Sequence, residues 1–283
     1  MPEVVAARPS IGEVLRGATA RLAASSHTPR LDAELLLAHV LGADRARLVI
    51  DAGSELTPAQ LDAFHAFLSR REAREPVAYI LGHKEFRRIS LHVDPRVLIP
   101  RPETELLVEV GLPLPPGASV VDVGTGSGAV ALALKDERPD LEVWATDVSS
   151  DALELARANG FRLGLGVEFV QADLLSGLSR GFDAVLANLP YVAAGEELPP
   201  DVARYEPAGA LFGGPDGLDV IRRLVDALPP DVRLVALEVG AGQARAVGAL
   251  LASRTNSIEI VRDLAGHERV VVGRRLSDGS TRR

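Results

Sequence analysis

From residue 101 onward this 283-residue chain is predicted to form an α/β domain, a mostly parallel sheet with helices on both faces and one antiparallel strand. A small all-helical domain and a β-hairpin linker are expected ahead of it. Three observations carry the expectation. After a proline-rich loop at 113–117, short apolar runs alternate with helical patterns for about 140 residues, as successive βα units do. One run ends in Asp122-Val123-Gly124-Thr125-Gly126-Ser127-Gly128-Ala129, small residues that let a strand turn tightly into a helix. Upstream, apolar residues recur at three- and four-residue steps, the period of a helix.

The elements follow in order. From Ile11 to about Arg74 the pattern is helical: Leu31 to Val40 repeats apolar residues at helical steps, and Gly42 suits a helix C-terminus. Thr57-Pro58-Ala59-Gln60 supplies an N-cap, a first-turn proline and a capping-box partner. The charges of Arg70, Arg71, Glu72, Arg74 and Glu75 read as a solvated helix face. Between 76 and 100 the period changes: Phe86, Ile89, Leu91, Val93, Val97 and Ile99 fall in short extended runs broken at Asp94-Pro95, a strand pair joining two domains. In the segment Leu98 to Glu105 the second proline can start a helix, Glu103 and Glu105 favour its first turn, and the stiffened loop makes a good wall for a site. Strands are then expected at 119–123, 141–146, 167–171, 182–186 and 233–239, and helices at 129–135, 150–159, 218–228 and 243–253. A terminal strand pair at 258–262 and 269–274 flanks the turn Leu264-Ala265-Gly266-His267, and the polar tail from Ser277 is expected to fray. The domains are thus 1–75, 76–100 and 101–283.

Composition narrows the chemistry. No cysteine is present, which excludes disulfides and thiol catalysis, and the six histidines show no His-x-x-x-His spacing, so no metal is expected. No apolar run approaches the roughly 20 residues of a membrane helix, and Glu3 and Arg8 do not make a signal peptide. A soluble, cytoplasmic protein without membrane attachment is expected, a monomer by preference. The net charge of -8 argues against stable, sequence-independent binding of nucleic acid, which needs a basic face.

Two stretches carry chemistry. In the glycine loop, Gly124, Gly126 and Ala129 satisfy a dinucleotide pattern after a strand and before a helix, with Thr125, Ser127 and Gly128 completing the turn. A nucleotide-like ligand follows, either a nicotinamide cofactor or S-adenosylmethionine (AdoMet). The companions favour AdoMet. Asp122 would repel a pyrophosphate but could orient a methionine ammonium. Asp147, with Val148 beside it, can accept ribose hydroxyls, and Asp173 could meet the adenine amino group with Leu174 near the ring. The second stretch is Asn188-Leu189-Pro190-Tyr191, at the expected carboxyl end of a strand, where open α/β sheets bind ligands. Its side-chain amide and main-chain carbonyls could grip an incoming NH2 group, with Tyr191 as a flat face over it. Taken alone, these four residues read equally well as an Asn-Pro turn capping a core strand.

Together these residues resemble the class I methyltransferases and, within them, the HemK/PrmC protein-(glutamine-N5) methyltransferases that modify peptide chain release factors. The resemblance includes Asp32 to Gly42, Pro76 to Gly82, Glu85-Phe86, Val97 to Glu105, the glycine loop, Ala210 to Leu218, Leu237 to Gly240 and Asp263 to Arg269. It implies a Rossmann-like seven-stranded methyltransferase domain, AdoMet as donor with S-adenosylhomocysteine as product, and the Gly-Gly-Gln glutamine of class 1 release factors as acceptor. It also implies that Asn188 Oδ1 and the carbonyl of residue 189 accept the two amide hydrogens. The family has Asn-Pro-Pro-Tyr; Leu189 stands at the first proline, keeping the carbonyl but releasing its own φ. Rival expectations are a glutamine methyltransferase of a ribosomal protein, an adenine-N6 nucleic-acid methyltransferase, a nicotinamide oxidoreductase and a non-catalytic adaptor.

Overall fold

Helix caps set the boundaries of the first part of the chain. In the computed structural model, which describes residues 8–275, Ser10 and Glu13 form a capping box that starts α1 (Ile11–Leu22). Helix α2 (Pro29–Leu41) ends on left-handed Gly42, Asp44 caps α3 (Arg45–Ile50), and the Thr57/Gln60 capping box starts α4 (Pro58–Glu72) as expected. The short α5 (Val77–Leu81) follows and stops at Gly82. Leu15, Leu22, Leu36, Leu37, Phe64 and Leu68 interdigitate as the core of this unit. The expected frayed tail from Ser277, like Glu3, lies outside the described residues.

Two expectations need correction here. The compact unit runs to Gly82 rather than 75, because Val77 and Ile80 pack into the same core, and it takes in the distant stretch Pro199–Tyr205. There the Tyr205 phenol donates to the Ala73 carbonyl at 2.8 Å. Arg71 is not on a solvated face. It is 6% exposed and pairs with Asp32 at 2.7 Å. Asp32 also accepts from the hydroxyls of Ser26 and Thr28, so the buried charge is met on several sides.

The second unit begins with a hairpin, β1 (His83–Phe86) and β2 (Ile89–His92), paired antiparallel. The hairpin reverses at Arg87-Arg88, not at Asp94-Pro95. Arg87 adopts a left-handed φ of 50°, and the turn is held from outside: Glu105 accepts its N–H and Glu137 grips its guanidinium. Asp94-Pro95 instead forms a separate turn closed by Val97 N–H on the Asp94 carbonyl.

Helix α6 (Glu105–Gly111) leads to β3 (Ser119–Val123), α7 (Ala129–Glu137), β4 (Glu142–Asp147), α8 (Ser150–Leu163), β5 (Glu168–Gln171) and β6 (Ala184–Ala187). After α9 (Pro200–Tyr205) come α10 (Asp219–Ala227), β7 (Leu234–Glu238), α11 (Ala244–Ala252), β8 (Ser257–Arg262) and β9 (Glu268–Arg274). Among the described residues the seven strands β3 to β9 form one sheet in the order β5-β4-β3-β6-β7-β9-β8, and β9 runs against both neighbours, so one strand is antiparallel as expected. Side chains alternate between faces along each strand. Val121, Val185, Val235 and Val271 meet Ile221, Leu224, Val247 and Leu251 of α10 and α11. On the opposite face Gly111 of α6 lies against Leu134 and Leu186, so close that a Cβ there would come within 3.1 Å. No helix among the described residues is long and apolar enough to cross a membrane.

Removing Asp32 strands a buried guanidinium. Asp32→Ala is expected to cost about 3–5 kcal/mol, read from urea unfolding followed by far-UV circular dichroism; a loss below about 1 kcal/mol would mean that Arg71 finds water instead.

Candidate active site

The chain order reverses direction across β3 and β6, and a crevice opens beyond their carboxyl ends. In the parallel register Val123 pairs with Ala187, so the two strands release Gly124 and Asn188 side by side. Both line a cavity of about 490 Å³, together with Arg101, Thr104, Asp147 and Pro190.

The glycine loop is held by β4. The Thr146 carbonyl accepts the N–H groups of Gly124 and Thr125 at 2.8 and 2.9 Å, and Asp147 Oδ2 accepts that of Gly126 at 2.9 Å. Gly124 has φ 73°, and a Cβ on it would approach Leu189 Cδ2 to 3.0 Å. Gly126, at φ 55°, has nothing within 4 Å of the place a Cβ would take, so that space is cavity. Thr125 and Ser127, within the loop, are buried. Asn159, fully buried on α8, donates to the Ser127 carbonyl at 3.0 Å and exchanges two hydrogen bonds with the His92 backbone. One amide thus ties the hairpin to the loop. Nothing in the sequence separates Asn159 from any other helical asparagine.

All three strand-end acids are already engaged by the protein's own groups. Asp122 is 2% exposed; its Oδ2 accepts from Thr125 Oγ1 at 2.6 Å and from the Ala131 N–H at 3.2 Å. It braces the turn while lining the cavity floor. Burial, with the charge of Asp147 adding to it, pushes its carboxyl up to about 7. Asp147 holds the N–H groups of Gly126 and Ser149, one on each oxygen, with exposed Val148 between. Asp173 lies at the cavity's outer end in a half-exposed ion pair with Arg223 at 2.5 Å, followed by Leu174, whose φ of 56° is left-handed.

At the other end Asn188 Nδ2 donates to Thr104 Oγ1 at 3.0 Å. Leu189 is 4% exposed, its side chain in the sheet core and against Gly124, so packing restrains the loop where a proline ring would. Tyr191 differs from expectation. It does not line the cavity: its ring packs against the core and beside Gly240, and its phenol donates to Glu238 Oε1 at 3.3 Å. A buried hydroxyl needs a partner, and the buried carboxyl supplies one. The cavity wall at Leu98 to Arg101 is pinned by Glu206, which accepts the Ile99 N–H at 3.2 Å and pairs with Arg101 at 2.5 Å. The sequence carried one signal for Glu238, an acid ending the apolar run Leu234 to Leu237.

Asp122 has a consequence for stability. Between about pH 4 and pH 7 the unfolded chain has lost this proton and the folded chain has kept it, so the group's contribution falls as pH rises through that window. Asp122→Asn removes the penalty. Its melting temperature relative to the unsubstituted protein is expected to be higher at pH 8 than at pH 5 in scanning calorimetry; an equal difference at both pH values would contradict the assignment.

The chain matches the PrmC N-terminal domain over residues 13–82 and the methyltransferase small domain over residues 102–204. It is 42% identical over 263 residues to the release factor glutamine methyltransferase of Koribacter versatilis, covering 89% of this chain and 94% of that one. It is also 42% identical over 291 residues to the release factor glutamine methyltransferase of Moorella thermoacetica, covering 96% and 99%. Among solved structures, the T. thermophilus 16S rRNA methyltransferase RsmC in complex with AdoMet and guanosine aligns with a TM-score of 0.51 at 16% identity, over 69% of this chain and 50% of that one, a likeness of fold alone. With this identity over nearly its full length, the chain belongs to the release factor glutamine methyltransferase family.

Proposed function

We propose that this protein transfers the methyl group of AdoMet to the side-chain amide nitrogen of a glutamine in a protein, the Gly-Gly-Gln glutamine of class 1 release factors. The observation that carries the reading is the placement of Asn188. Its Nδ2 is committed to Thr104, so its Oδ1 is the atom left to accept from an amide entering the cavity beside the glycine loop.

The residues present fit AdoMet. Gly126 leaves open the space that a side chain would occupy, Asp147 stands at the rim with a second lone pair on each oxygen, and Asp173 with Leu174 borders the outer end. Bound there, AdoMet supplies a methyl group already activated by its sulfonium. The protein's part is to bring a poor nucleophile into line, since the amide lone pair is delocalised into its carbonyl. Asn188 Oδ1 and the Leu189 carbonyl accept the two amide hydrogens, which orients the nitrogen and favours the positive charge developing on it. Pro190 and the buried Leu189 side chain hold those two oxygens still, and the walls around Arg101 exclude water; orientation of this kind is worth up to roughly 7–11 kcal/mol in favourable cases. Tyr191 acts from behind, as packing that fixes the loop. The helical unit ending at Gly82 serves recognition of the protein substrate, and the enzyme works as a monomer in the cytoplasm.

Purified protein incubated with labelled AdoMet is expected to label the release factor glutamine, and neither ribosomal protein nor DNA; label in either of those instead would replace this reading. Asn188→Ala is expected to keep AdoMet affinity in calorimetry and to lower kcat by about 100-fold or more. Loss of AdoMet binding in that variant would contradict the division of roles.

A further inference from the structure

Glu238, the buried acid that ends β7, has no part in the reaction described above. It is 2% exposed, and burial pushes its carboxyl up to about 7. Four groups face it: the Tyr191 phenol on Oε1, the Thr104 hydroxyl, the Glu103 carboxylate and the Arg269 guanidinium. Arg269 is taken up by Asp263 at 2.8 Å and Glu103 at 3.5 Å, and Glu238 Oε2 has no hydrogen-bond partner among the described residues. An interior acceptor left unsatisfied attracts any proton within reach.

The consequence falls on Thr104, which is 4% exposed and lies between Glu238 and Asn188. A hydroxyl has one proton to give. If Thr104 gives it to Glu238, its oxygen can only accept from Asn188, and the asparagine must turn NH2 inward and Oδ1 toward the cavity. If Thr104 gives it to Asn188, the amide turns over, and an NH2 faces the incoming NH2, donor against donor. Above about pH 7, where Glu238 is ionised, its carboxylate is the stronger acceptor, so it takes the proton.

We propose that Thr104, backed by Glu238, is a positioning residue that sets which way the Asn188 amide faces and so makes the site accept an NH2 group. The proposal rests on the glutamine reading of the cavity. Neither residue touches the reacting atoms; both act through Asn188.

The test compares Thr104→Val, the same shape without the hydroxyl, with Thr104→Ser, the hydroxyl without the methyl. Thr104→Val is expected to lower kcat about tenfold or more with KM for AdoMet and release factor unchanged, and Thr104→Ser to stay within about threefold of the unsubstituted enzyme. Glu238→Leu, which removes the acceptor, is expected to repeat the kcat loss and keeps the proposal testable should Thr104→Val not fold. A second readout needs no AdoMet: in isotope-labelled protein the Asn188 side-chain amide hydrogens are expected to exchange slowly in the unsubstituted chain and in Thr104→Ser, and rapidly in Thr104→Val. Full kcat in Thr104→Val or Glu238→Leu, equal losses in Thr104→Val and Thr104→Ser, or unchanged amide exchange in Thr104→Val overturns the proposal. If the unsubstituted protein methylates no glutamine, the proposed function fails separately, and the exchange measurement still decides the orientation of Asn188.

Discussion

The parallel pairing of β3 with β6 is the constraint on which the site depends. With Val123 opposite Ala187, the chain leaves the sheet at Gly124 on one strand and Asn188 on its neighbour. Adjacent strands lie about 4.8 Å apart, so loops leaving at the same level must touch. They do: Leu189 folds over Gly124, so close that a Cβ there would meet its Cδ2 at 3.0 Å. A shift of one residue in either strand would carry the loop side chains to the other face. It would also bury Asn188 in place of Ala187.

Around that contact lies a shell of buried polar groups that turns loose loops into fixed ones. Asp122 holds Thr125 and the start of α7, Asn159 holds Ser127 and the hairpin, and Glu206 holds Ile99 and Arg101. Each places a polar group in the interior, which is costly unless it is met by partners. The partners come from loops with little regular structure of their own. Backbone groups outside helices and strands must be satisfied somewhere, and here a few side chains do it from below. Glu238 departs from this pattern, since among the described residues one of its oxygens is unmet beside Thr104 and Tyr191.

Leu189 illustrates how one restraint can stand in for another. A proline restricts a loop through its ring; a leucine restricts it by burying its side chain in the core shared by β3, β6 and β7. The carbonyl of residue 189 is available in either case. The Asn-Leu-Pro-Tyr variant thus carries the same acceptors as the family motif on a loop held by packing.

The sequence by itself determined the alternation of strands and helices, the single reversed strand, the glycine turn and the asparagine at a strand end. These are local signals: periodicity, caps and turn residues act within a few positions of each other. It also placed Asp122, Asp147 and Asp173 on one rim, because the ends of successive parallel strands share a side of the sheet. Only the tertiary structure decided what each polar side chain faces. Arg71 reads as a surface charge until Asp32, a helix away, meets it in the interior. Arg87 turns the hairpin without a glycine because Glu105 and Glu137 grip it from other elements. Tyr191 leaves the cavity because its hydroxyl finds Glu238 on a neighbouring strand. A hydrogen bond depends on a partner brought close by the fold, and no spacing along the chain encodes which partner that is.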